Sequence, residues 1–406
     1  MKPETIVLSD AMRDRLEAAL QPFEDAYPYQ KWQSAGHRQG NARSYKGSTS
    51  ENVLSVNIKL GLAKAVASAI YPSPESMDAV AYETLKREHP EIIEESLKIG
   101  GALLGMADGS GSPGIMLENL PKEGKGFYFL AGIQQLMGDS PDTPYRNERS
   151  SWLSFSKKNH AIQHRDAINV SSGAKGVIHL RGMMGRHEGG KPWPTVITSA
   201  DEIIHVMAKR MLKDEQIEPS ETALAQKTSE IEAWFKKPIW HTAADKPGAP
   251  ALLENTVKGE GVTTLFNFLS QDFKVTPEDA KTLTDDELET CDSLVKHFHQ
   301  ARREASKEEG VMVRPGTLLL WNNLMVFHGA GLPENGKDGL SLPPRELDHL
   351  EIFSLRDSHP AQESFGPFSS AVLIREGKER PKHIRVEDSV AELQQLAEQQ
   401  KGFKLF

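Results

Sequence analysis

The sequence predicts an α+β fold: a β-rich core beneath a helical N-terminal layer, interrupted by helical insertions. Three observations predict it. Apolar residues recur at helical spacing through the first hundred residues. At Asp108-Gly109-Ser110-Gly111-Ser112-Pro113-Gly114 the character changes. Beyond that point, short apolar runs bounded by Gly, Pro and Asn dominate, as strands require. The 406 residues include 38% hydrophobic and 26% charged side chains, an ordinary globular balance that can bury a large core without covalent staples.

Taken in order, Ser9 or Asp10 caps a first helix through Met12, Leu16, Leu20 and Phe23. Residues 34–51 are polar and read as a loop. A second helix covers about 54–69 and stops before Tyr71-Pro72-Ser73-Pro74. A third runs from about Ser76, and a fourth begins near Pro90, with Ile92, Ile93, Leu97, Leu103 and Leu104 on one side. Strands are expected over 114–117, 152–155, 176–180, 195–198, 317–321 and 350–355. Helical inserts are expected over 201–212 and 276–304, and 389–400 reads as an amphipathic surface helix. No repeat or low-complexity tract divides the chain. The expectation is a single catalytic domain over 1–406: a mainly helical layer at 1–108, a core at 109–375 with a helical insert at about 201–304, and an extension at 376–406.

Composition narrows the function. The single cysteine, Cys291, excludes a disulfide framework and fits a reducing compartment. A net charge of −9 argues against a nucleic-acid-binding surface. The first ten residues turn polar before a secretory core can form, and no apolar run approaches membrane-spanning length. The expectation is a cytoplasmic protein whose partner is a small-molecule substrate, with no nucleic acid and no membrane.

Two segments carry the chemistry. In Gln163-His164-Arg165-Asp166-Ala167-Ile168-Asn169, extended backbone would project His164 and Asp166 to one side and Arg165 to the other. The second segment runs from Pro315-Gly316 through Trp321-Asn322-Asn323 to His328-Gly329. It reads as a greasy hairpin: a turn, a buried strand, a tight Asn-Asn turn and a second buried strand ending in a histidine. A histidine there is either a satisfied core residue or a ligand, and Gly329 permits close approach. Two imidazoles and one carboxylate would occupy one face of a metal, the arrangement of non-haem Fe(II) oxygenases.

These motifs, in order across about 114–357, resemble the clavaminate synthase-like branch of the Fe(II)/2-oxoglutarate-dependent oxygenases, related to the taurine dioxygenase group. Gly114-Ile115-Met116-Leu117-Glu118-Asn119-Leu120-Pro121 is similar to the strand-and-proline element that opens that core. His164-Arg165-Asp166 followed by Gly176-Val177-Ile178-His179-Leu180-Arg181 resembles its ligand strand and partner strand, and 314–329 its distal-histidine hairpin. The resemblance implies a double-stranded β-helix (a cupin-like jelly roll) with His164, Asp166 and His328 as iron ligands. It further implies that Thr195 helps to hold one 2-oxoglutarate carboxylate and that Arg345 pairs with the distal one, with Arg356 as the alternative. An arginine suits that task because its planar fork binds a carboxylate bidentately. Ser154 and Ser156 match substrate-contacting serines of similar enzymes, though buried serines also commonly satisfy backbone groups. The implied cofactors are Fe(II), 2-oxoglutarate and O2. The implied reaction couples oxidative decarboxylation of 2-oxoglutarate to hydroxylation, desaturation or cyclisation of a free or carrier-bound amino acid or a derived natural product.

The chain also departs from the family pattern. Asn322 stands where relatives usually carry an acidic residue, Ala330 where they carry an arginine, and the stretch from His328 to Arg345 is longer. Asp166 is intact, whereas halogenating relatives lack that carboxylate.

Competing signals are weaker. His160 lies four residues before His164. His241 with Asp245 could replace His164, but their spacing breaks strand alternation. His297 and His299 flank Phe298 in a charged helical stretch and read as surface residues. Gly109-x-Gly111-x-x-Gly114 follows a helix and contains Pro113, so it is a loop and not a dinucleotide fingerprint. His164-Arg165-Asp166 lacks the other parts of a kinase catalytic loop. Trp152, Trp193, Trp240 and Trp321 could line a pocket, with core packing the commoner use. Two other functions fit the same residues: a metal-dependent non-redox enzyme of cupin type, and a non-catalytic jelly-roll binding protein.

Overall fold

The computed structural model describes residues 2–28, 56–72, 77–108, 111–137, 149–150, 177–185, 194–237, 239–242, 253–258, 261–266, 273–275, 277–305, 310–323, 325–330, 347–355 and 385–401. The chain opens with strand β1 (Glu4–Val7) and helix α1 (Asp10–Ala26). Ser9 caps α1 by accepting from the Met12 N–H at 3.2 Å, while its own hydroxyl donates to Glu95 Oε2 at 3.0 Å. Met12, Leu16, Leu20 and Phe23 are all buried, as their spacing demands. Helices α2 (Val56–Ile70), α3 (Ala79–Glu88) and α4 (Pro90–Asp108) follow within a few residues of their expected bounds.

Strand β2 (Gly114–Glu118) and helix α5 (Glu123–Met137) come next. The sequence gives no periodic signal for α5. Phe127 to Ala131, Ile133 and Leu136 are all buried, so the helix is apolar around most of its circumference. β1 is equally silent, since only Ile6 of its four residues is buried.

A six-stranded sheet has the order β1-β2-β10-β4-β12-β3. Its remaining members are β3 (Arg149–Ser150), β4 (Val177–Gly185), β10 (Leu318–Asn322) and β12 (Leu347–Leu355). β1 runs parallel to β2; the other pairs are antiparallel. A second sheet of two strands pairs β5 (Thr195–Ser199) with β11 (Val326–Ala330).

Alternation along the strands assigns the two faces of the large sheet. Ile115, Leu117, Leu180, Met184, Leu318 and Leu320 join the core beneath the N-terminal helices. Met183, Leu319 and Trp321 point the other way and pack with Ile197 and Val326 of the small sheet. The two sheets approach closely at Gly114, where a Cβ would lie 2.5 Å from Ile197 Cδ1.

Behind the small sheet lie α6 (Ala200–Asp214), α7 (Glu221–Phe235) and α8 (Asp285–Ala305). Phe327 of β11 turns its ring toward this layer, 5.9 Å from that of Phe298. The stretch between α7 and α8 also holds paired strands β6 (Trp240–Thr242) with β9 (Phe273–Val275), and β7 (Leu253–Lys258) with β8 (Gly261–Phe266). These strands, with β1, β3, α5 and α7, are the described elements that the sequence reading did not anticipate.

Two expectations need correction. His297 is not a surface residue: it is 4% exposed, because it shares the buried side of α8 with Leu294, Phe298 and Ala301. Its Nδ1 lies 2.7 Å from the Ser293 carbonyl and its Nε2 3.1 Å from Asp214 Oδ2 of α6. Helix α9 (Val386–Lys401) does not merely lie on the surface, since Ser389, Leu393 and Ala397 are buried. Ser389 Oγ donates to the Asn57 carbonyl of α2 at 2.8 Å.

Candidate metal centre

His328 and Thr195 are the two expected site residues whose surroundings the structure describes. They stand on the small sheet, where His328 pairs with Ile197 and Ala330 with Thr195. Directly paired residues share a face, so Thr195, Ile197, Val326 and His328 all point toward the large sheet. Thr195 therefore sits diagonally beside His328 on one face. Thr195 is 1% exposed and His328 7% exposed.

Each has local support. The ring of His328 lies 4.8 Å from that of Trp321, tilted by 43°. Thr195 is fixed by reciprocal backbone bonds with Val311, both 2.8 Å, and its hydroxyl donates to Met183 Sδ at 3.4 Å. Ser199 ends β5 and starts α6 through a capping box with Glu202.

The greasy hairpin is not one. β10 and β11 do not pair with each other: β10 lies in the large sheet and β11 in the small one. Asn322 and Asn323 carry the chain between sheets through a fully buried turn. Buried turn backbone must be satisfied locally. The Met325 N–H donates to the Asn322 carbonyl at 3.0 Å, and the Asn322 N–H to the Pro113 carbonyl at 2.8 Å. Asn322 Nδ2 donates to the Met106 carbonyl near the end of α4 at 3.0 Å. An acidic residue could not make that last bond, which accounts physically for an amide at this position. The preceding Arg314-Pro315-Gly316-Thr317 forms the expected turn, with Gly316 at φ 78° and the Thr317 N–H donating to the Arg314 carbonyl at 2.9 Å.

His164, Asp166, Arg345, Ser154 and Ser156 lie outside the described residues, as do Arg356, His160, Trp152, Trp193 and Asp245. Among the described residues, no three His, Cys, Asp or Glu side chains gather as a metal would require; of the expected ligand set, only His328 is among them. The backbone of His241 lies in β6, paired with Lys274. Trp240 packs edge-on against Phe235 behind the small sheet, a core role. No described helix is long and apolar enough to cross a membrane.

The donor set on this face suits a transition metal and a carboxylate. An imidazole is a good ligand for iron, and a buried hydroxyl can donate to an anionic oxygen. Met183, Ile197, Leu319 and Val326 pack into one apolar cluster on this side of the two sheets.

No family model matches the chain, and no curated protein matches it. Solved structures do. The non-heme iron oxygenase OrfP in complex with Fe is 12% identical, with 89% of this chain and 98% of that chain covered and a TM-score of 0.41. An asparagine oxygenase in complex with Fe(II), 2S,3S-3-hydroxyasparagine and succinate is 14% identical, covering 87% of this chain and 93% of that chain at a TM-score of 0.41. Both are described as oxygenases that hold iron.

Proposed function

We propose that this chain is an Fe(II)- and 2-oxoglutarate-dependent oxygenase built on a jelly-roll core and acting on a small amino acid or amino-acid-derived molecule. The observation that carries the reading is the juxtaposition of His328 and Thr195. Two residues picked out by motif, far apart in sequence, share the buried face between two sheets.

In this reading His328 holds iron together with His164 and Asp166, and the Thr195 hydroxyl donates to one carboxylate oxygen of 2-oxoglutarate. Arg345 binds the other end of the co-substrate. Bound iron would supply the activation of O2 that is coupled to decarboxylation of 2-oxoglutarate. The protein's part would be to orient the substrate and to exclude water, and the apolar cluster of Met183, Ile197, Leu319 and Val326 beside His328 supports that part. No side chain need act as general base.

The test is release of succinate from 2-oxoglutarate under air, with Fe(II) and a panel of amino acids. One or more amino acids should stimulate release in the wild type, and His328→Ala should abolish it. Turnover of a substrate that needs metal but no 2-oxoglutarate would contradict the proposal and favour a non-redox metalloenzyme.

A further inference from the structure

Trp321 of β10 is 1% exposed, and its indole Nε1 makes no hydrogen bond to a described residue. A buried N–H stripped of water ordinarily has an acceptor, because going without one costs free energy. The same protein supplies the contrast. Trp240, equally buried in a packing role, donates its Nε1–H to the Trp234 carbonyl at 2.9 Å.

The surroundings of Trp321 explain the difference. Its indole packs with Met183, Ile197, Val313, Leu319 and Val326, whose side chains carry neither oxygen nor nitrogen. The backbone of its own strand is engaged on both edges, with β2 and with β4. The ring also lies against that of His328, 4.8 Å between centroids. Trp321 comes from the large sheet and His328 from the small one, so this N–H is buried where the two sheets face each other.

An acceptor for it must therefore come from outside the cluster. A lone internal water is a poor match, since it needs about two to four polar partners and the cluster's side chains offer this one donor. An oxygen carried by a bound molecule needs no other partner there. The indole donates and never accepts, so the molecule must present a lone pair at that point. A carboxylate oxygen gains most, because apolar surroundings strengthen a charge-assisted bond. Resting on the reading of His328 as a metal ligand, we propose that Trp321 is a ligand-binding residue of that site. Its indole N–H donates to a carboxylate oxygen of the small molecule held beside the metal. Two molecules carry such an oxygen, 2-oxoglutarate and an amino-acid substrate.

The experiment uses the full chain loaded with Zn(II), which accepts imidazole and carboxylate ligands and has no redox chemistry. Two altered proteins are compared with wild type. One is Trp321→Phe; the other carries benzothienylalanine at position 321 alone, which keeps the shape of tryptophan and puts sulfur in place of the N–H. Each is titrated calorimetrically with 2-oxoglutarate and, separately, with a panel of the proteinogenic amino acids. Both replacements are expected to raise the Kd for one of these ligands about tenfold while the Zn(II) affinity stays within about twofold. The titration in which the loss occurs identifies the molecule. In wild type, the Trp321 indole N–H resonance, assigned by its absence from the benzothienylalanine protein, should move when that ligand saturates. Unchanged affinities with an unmoved resonance would overturn this proposal while leaving the metal assignment standing. A loss in Trp321→Phe but not with benzothienylalanine would also overturn it, since ring size and not the N–H would then matter. So would a wild type that takes up Zn(II) and binds neither class of carboxylate. A wild type that takes up no metal would overturn both this proposal and the reading beneath it.

Discussion

His328 and Thr195 share a face because β11 and β5 pair in a register that places His328 opposite Ile197 and Ala330 opposite Thr195. A shift of one residue in either strand would turn one of them toward the helices behind the sheet. The different duties proposed for them should separate by mutation. Thr195→Val keeps the shape and removes the donor; it is expected to weaken 2-oxoglutarate binding about 5- to 10-fold with metal affinity unchanged, read by calorimetry. His328→Ala should instead lower metal affinity, with loss of co-substrate binding following from it. Cys291 behaves in the opposite way to a reactive group. It is buried on α8, and burial pushes its thiol up to about 11 from a usual value near 9. Iodoacetamide at pH 8 should leave native protein unmodified over a time in which urea-unfolded protein reacts fully. Rapid native labelling would show that α8 opens locally.

Elements were legible in proportion to their one-sidedness. α1 is polar on one side and buries Met12, Leu16, Leu20 and Phe23 on the other, so its period and its Ser9 cap can be read directly. α5 is buried nearly all round and has no period to read. The short runs at β5 and β10 announced strands, yet nothing local told which strands would pair. The Asn322-Asn323 turn looked like the tip of a hairpin, and it is a crossover between sheets because β2 and β4 already occupy both edges of β10. That crossover yields a prediction at its own scale. Asn322→Asp replaces a donor to the Met106 carbonyl with a buried charge. It is expected to destabilise the protein by about 3 kcal/mol or more at pH 7. The loss should shrink toward pH 4, where the acid regains a proton to donate; denaturant melts at the two pH values read this. Gly316→Ala, which forces a side chain into positive φ with its Cβ 2.9 Å from the Leu120 carbonyl, should cost about 1–3 kcal/mol at any pH.

At the scale of the whole molecule, the described layers run helices, six-stranded sheet, two-stranded sheet, helices. Residues of alternate parity on β10 and β11 serve different layers: Leu318 and Leu320 the N-terminal core, Leu319 and Trp321 the inter-sheet space, and Phe327 the core behind it. The small sheet is thus held from both sides, which fixes the point from which the His328 side chain starts. Motif order across 114–357 singled out His328 and Thr195 before any coordinates, and the strand register places both on one face of the small sheet. The pairing of sheet neighbours such as β4 and β10 was not legible, because no single sequence displays their register. The central claim is that iron and 2-oxoglutarate bind together at His164, Asp166 and His328. Its most direct test is anaerobic addition of Fe(II) and 2-oxoglutarate, following the weak visible absorption that ferrous iron and a 2-oxo acid develop when they bind as a unit. The wild type should develop the band and His164→Ala and His328→Ala should not; a wild type that takes up Fe(II) without any band would contradict the account.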